Sequence, residues 1–258
     1  MSHNKFFDQR FDTSCLTGYA PLPFFHSCDS VYLQAIIQDR QLRPQYCNIY
    51  KEELLYLFSG KPAYKSNQSK SSWLTSYMPM CFIISFEAIQ TLRRVVAFDS
   101  GAFSKYSDWM HPSMTLDQFY LTPNKAAILK TVEHFYESNY AYFIGKARHE
   151  IFHDPIHFQL ESYHAMIRNV GKSDVDDRKS CIEVQLNHAI KLNSTNIEAV
   201  ILPGNLINSP LVKKTLIDEL GLTLIPITNY GAPSPHYYGK ILEIARSFMV
   251  DKKLMDDK

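Results

Sequence analysis

The chain has 258 residues, of which 45% are hydrophobic and 21% charged, with a formal net charge of +1. This is an ordinary folded composition, long enough to bury a substantial core as one large domain or two small ones. Near-zero charge excludes a global field drawing the protein to nucleic acid or membrane, and leaves room only for a local basic groove. The leader MSHNKFFDQRFD is too polar for a signal peptide. Pro21 to His26 (PLPFFH) is predicted as a short strand ending in a histidine. Asp29 or Ser30 is placed to cap the next helix, whose apolar side is Val31, Leu33, Ile36 and Ile37. Arg43-Pro44 stops it, because the residue before proline is pushed from helical geometry.

Leu54 to Ser66 (LLYLFSGKPAYKS) begins as an apolar strand and breaks at Ser59-Gly60-Lys61-Pro62, a turn flanked by Tyr56 and Tyr64. Two rings beside a lysine suit a planar heterocycle carrying phosphates. Lys65 to Ser76 reads as a polar loop with Trp73 its one potential anchor. Met80 to Phe86 (MCFIISF) is a buried strand, far too short to cross a bilayer. Val95 to Phe98 is another, followed by a loop through Asp99-Ser100-Gly101. Thr122-Pro123 opens a helix to about Glu137, Tyr140 to His153 a second, and Asp154-Pro155 a third to about Asn169.

Gly171 to Arg178 is a charged turn, and Cys181 to Leu186 (CIEVQL) alternates like a half-buried strand. Ala199 to Leu202, a helix from Ser209-Pro210 to Gly221, and Leu222 to Thr228 read as a strand–helix–strand crossover with parallel strands. Ser234-Pro235 caps a last helix to about Val250. A mixed α/β (α+β) architecture is expected: one domain over 1–258 with a helical insertion around 122–169. The cysteines at 15, 28, 47, 81 and 181 are odd in number and contain no CxxC pair, which argues against a disulfide framework or a cysteine-rich zinc site. A cytoplasmic protein with no membrane partner is expected.

The order of a strand-end histidine (His26), a tyrosine-bearing strand and turn, and a late strand glutamate (Glu183) resembles the ADP-ribosyltransferase superfamily. His26 to Pro44 (HSCDSVYLQAIIQDRQLRP) is similar to the segment that opens many such domains. Leu54 to Tyr64 is similar to the strand and turn that hold nicotinamide. Asp176 to Leu186 (DDRKSCIEVQL) looks like the segment presenting the catalytic glutamate. The pattern is nearest the DarT type of DNA-modifying toxin, although Lys61 stands where that type carries an arginine.

The resemblance implies a mixed central sheet and NAD as substrate, with Glu183, His26 and Tyr56 as catalytic residues. It also implies His26 at the adenosine-side ribose, Tyr56 and Tyr64 around nicotinamide, Lys61 or Arg178 at the pyrophosphate, and Ser27 among the NAD-binding residues. The acceptor of ADP-ribose stays open: nucleic acid, protein, small molecule or water. The chemistry fits, because breaking the nicotinamide–ribose bond builds positive charge on the sugar, which a fixed carboxylate stabilises. Glu183 equally reads as the solvent side of a strand, and His26 as a local hydrogen-bonding residue.

Two other readings stand beside this one. His149-Glu150-Ile151-Phe152-His153 matches HExxH, which on a helix places two zinc-binding histidines and a general base on one face. His157 or Glu161 could supply a third ligand, yet Asp154-Pro155 interrupts at once. A non-catalytic nucleotide-binding or interaction module is the third reading. No GxGxxG, P-loop or GxSxG pattern occurs.

Overall fold

The computed structural model describes residues 5–11, 18–63, 72–168, 177–229 and 231–256. Its frame is a mixed sheet whose strands are β1 (Phe24–Asp29), β3 (Gln45–Cys47), β4 (Glu52–Ser59), β5 (Pro79–Ile84), β6 (Arg94–Val96), β7 (Tyr120–Leu121), β8 (Glu183–Leu186), β10 (Ile197–Pro203) and β11 (Leu224–Ile227). Their order is β11-β10-β5-β1-β4-β8-β6-β7, with β3 on β4, while β2 (Gln41–Leu42) and β9 (Ile190–Lys191) pair separately. The fold is therefore mixed α and β, as the pattern of elements predicts.

The Met80 stretch becomes β5, buried along its whole length between β10 and β1. An all-apolar run suits a strand covered on both faces. β10 and β11 pair in parallel from Val200↔Leu224, the arrangement expected of the crossover. The intervening helix is α5 (Gly204–Ile207) and α6 (Pro210–Val212), running into a wider π-helical stretch over Lys213–Glu219. The last helix, α7 (Tyr237–Asp251), packs against β5 and β11. No helix among the described residues is long and apolar enough to cross a membrane.

Beyond the sheet, α2 (Lys125–Phe135), α3 (Asn139–Phe143) and α4 (Phe158–Ile167) occupy the predicted helical stretch. Their aromatic residues stack into it: Phe135 lies 4.7 Å from Tyr163, and Phe7 packs on both. α2 starts later than expected because Asp8 binds the Thr122 amide at 2.6 Å and its hydroxyl at 2.9 Å. Asn124 caps instead, its side chain accepting from the Ala127 amide at 2.8 Å. Asn124→Ala is expected to lower stability by about 1 kcal/mol in urea unfolding, the usual loss for such a cap.

Four expectations need correction. The second helix ends at Phe143 rather than His153, because the Lys146 amide turns back to the Ala141 carbonyl at 2.8 Å. Arg148 N–H then bonds the Phe135 carbonyl and Tyr136 bridges Ala147, which holds the chain extended. α4 begins at Phe158, past Asp154-Pro155. Finally, β8 is not half-buried: all four of its residues are closed off, because the Ser100 loop lies over the face that Glu183 would otherwise turn to water. Trp73 is 65% exposed and anchors little.

Candidate active site

β1 and β4 pair only at Phe24↔Ser59 and Phe25↔Phe58, although β1 stays paired with β5 to Asp29. Past Phe25 the two strands part, and a cleft opens on each side of the gap. The first cleft, about 380 Å³, is lined by Ser27, Ile49, Tyr56, Phe58, Ala63, Asp99, Ser100, Gly101, Arg178 and Glu183. The second, about 510 Å³, takes His26 and Cys28 from the opposite face of β1, with Tyr46, Cys47 and again Tyr56. Strand alternation thus sends Ser27 to one cleft and His26 to the other.

Glu183 forms the floor of the first cleft, 1% exposed, opposite Phe58 in the β4–β8 register. Three groups orient its carboxylate. The Ser100 amide donates to Oε2 at 3.0 Å, the Ser100 hydroxyl to Oε1 at 2.8 Å, and Gln185 Nε2 to Oε1 at 2.6 Å. Burial, seconded by the negative charge of Asp99, pushes the Glu183 carboxyl up to about 7, against the pull of those hydrogen bonds. Desolvation wins because the group is nearly sealed from water. A carboxyl so poised is about half ionised at neutral pH, as suits an acid–base or charge-stabilising role.

The other cleft walls are fixed as well. Tyr56 sits two residues before Phe58 on β4, opposite Gln185, and its hydroxyl donates to the Cys47 thiol at 2.9 Å. Arg178 Nη1 stands 3.6 Å from Asp99 Oδ2, and Asp99 also accepts from the Gly101 amide at 2.9 Å. A guanidinium and a ring lining one cleft with a sheltered carboxylate can receive a ligand with an anionic part and a flat part.

The structure thus gathers Ser27, Tyr56, Arg178 and Glu183 around one cavity. His26 is adjacent: its Nδ1–H donates to the Tyr56 carbonyl at 2.8 Å, and burial lowers its pKa. It stands within β1 rather than at its end. Lys61, next to Gly60 in the turn, is 4% exposed and is not among the residues lining this cleft; its ammonium lies near Gly145. Tyr64 lies outside the described residues.

Asp99, Ser100 and Gln185 were not singled out from sequence. Gln185 carried a usable signal, since it shares a strand face with Glu183. Ser100 did not, because its loop meets β8 only through tertiary folding. The HExxH motif loses its helical basis: His149 and Glu150 are 82% and 90% exposed on extended chain. Among the described residues no group of three or more His, Cys, Asp or Glu could hold a metal ion. No family model, curated protein or solved structure matches the chain.

Proposed function

We propose that the protein cleaves the nicotinamide–ribose bond of NAD and passes ADP-ribose to a macromolecular acceptor (nucleic acid or protein) or to water. The observation that carries this reading is the Glu183 carboxylate, buried and hydrogen-bonded on the floor of a cleft whose walls hold Tyr56, Ser27 and Arg178. Nicotinamide would rest against Tyr56, and Arg178 would face the pyrophosphate. As the glycosidic bond breaks, nicotinamide leaves with the electron pair and the sugar becomes cationic. Ionised Glu183 stabilises that cation, and the incoming nucleophile gives its proton to the Glu183 carboxylate as it bonds to the sugar carbon. His26 supports Tyr56 from behind through the Tyr56 carbonyl. A cytoplasmic toxin or defence role follows from the same reading.

Nicotinamide release from NAD by the purified protein tests the proposal, measured with and without EDTA across pH. Release is expected to be indifferent to EDTA. It should rise with pH through about 7, because Glu183 acts as the anion and its carboxyl titrates there. Neither NAD binding nor nicotinamide release, at any pH and with nucleic acid or protein acceptors supplied, would overturn it.

A further inference from the structure

A line of side chains runs from Glu183 and Gln185 on β8 to Arg94 on β6 and back to Glu52 on β4. Gln185 is fully buried on β8, with its Nε2 against Glu183 Oε1. Its side-chain oxygen accepts from the Arg94 guanidinium, directly across the β6–β8 register. Arg94 is held in turn: Nη2 meets Glu52 Oε1 at 2.8 Å, and its guanidinium lies 4.1 Å over the Tyr50 ring. Arg93 closes the line with 2.9 Å to the other Glu52 oxygen. Arg94 is only 17% exposed, so this is not a solvated surface pair.

A primary amide has one accepting end and one donating end, and a guanidinium can only donate. With Arg94 at one end, the Gln185 oxygen must face Arg94 and its NH2 must face Glu183. We propose that Arg94 is a positioning residue for Glu183, fixing the Gln185 amide so that it can only donate, and thereby holding the carboxylate as an oriented anion on the cleft floor. The inference rests on reading Glu183 as the reactive carboxylate. Without Arg94 the amide can turn over and present its oxygen, which favours the protonated acid, because only the acid has a hydrogen to give. Asp99, Arg178, Tyr56 and Cys47 are the other charged or titratable groups facing Glu183, and all stay in place when Arg94 is changed.

The test titrates Glu183 directly, by carboxyl-labelled glutamate NMR with the resonance assigned from its absence in Glu183→Gln. Arg94→Met keeps length but no donor, Arg94→Lys keeps one donor, and Glu52→Gln loosens Arg94 without removing it. Expected is an upward shift of the Glu183 titration by about one pH unit in Arg94→Met, a smaller shift in Glu52→Gln, and near-restoration in Arg94→Lys. The acidic limb of nicotinamide release should move with it. An unmoved Glu183 titration in folded Arg94→Met overturns the inference. If Arg94→Met does not fold, an unmoved titration in Glu52→Gln overturns it equally. Failure of the NAD reading shows separately, as absence of nicotinamide release by the wild type, because the titration needs no NAD.

Discussion

Glu183→Gln is expected to release nicotinamide from NAD about 1,000-fold more slowly than wild type, a typical loss when a preorganised charge-stabilising group is removed. It should bind NAD nearly as well, since shape and cleft lining are kept. The same protein should also be more stable at about pH 8, and the sign follows from linkage. Burial holds the folded carboxyl near 7, above its ordinary value of 4.5, so the native state favours the protonated acid. Wild-type stability is fully present below ~4.5 and is lost as pH rises through ~7, by up to ~3 kcal/mol. The glutamine variant avoids that loss. It incurs a smaller one: its NH2 meets either the Ser100 amide or Gln185 Nε2, donor against donor, offsetting about 1 kcal/mol. Urea unfolding should show an advantage of about 2 kcal/mol at alkaline pH that fades toward about pH 5. An unstable, fully active Glu183→Gln would sink both the role and the electrostatics.

The second large effect is expected at Gly60, where φ is +67° and an added Cβ would stand 2.5 Å from Leu22 Cδ1 and 2.8 Å from Tyr142 Cε1. Gly60→Ala should cost about 3 kcal/mol, combining the left-handed backbone penalty with overpacking. Neither neighbour can yield. Leu22 is buried, and Tyr142 is fixed by donating to the Ser59 carbonyl at 2.7 Å and accepting from the Ile182 amide at 3.2 Å. The last contact leads straight to Glu183, so activity should fall with stability. Gly221→Ala is the control: φ is +64° with nothing within 4 Å, so only the backbone penalty of about 1 kcal/mol applies. Equal losses at the two positions in urea unfolding would show that the contacts around Gly60 contribute nothing.

Where a short stretch settled its own fate, the sequence was readable. Met80 to Ile84 had no polar face to expose, and Leu54 to Ser59 followed by Gly60 could hardly be anything but a strand and a turn. Glu183 was singled out only by its place in the order of motifs, because its alternation with Ile182 and Val184 reads equally as the solvent side of a strand. Its neighbourhood was not legible. β8 lies beside β4 and β6 through pairings across 87 or more positions (Val96↔Glu183), and no local pattern encodes such a partner. The HExxH motif misled for the opposite reason: its spacing mimics a helix, while the chain leading into it is held extended by the Arg148 amide on the Phe135 carbonyl at the end of α2. The direction of Lys61 was not legible either, since it depends on which way Gly60 bends.

The parting of β1 and β4 also sets how cleft width depends on the interior. The two arms are joined at the Phe24–Phe25 rungs and by the Gly60 amide on the Pro23 carbonyl at 2.8 Å. They form two jaws diverging from that junction, with Ser27 on one and Tyr56 on the other, so that any tilt at the junction would be a larger displacement at the mouth. The His26 ring on the Tyr56 carbonyl is a spacer between the jaws, and it stays uncharged near neutrality because burial lowers its pKa. The bite of the site is thus gauged by one neutral imidazole and by the absence of a single methyl group at Gly60.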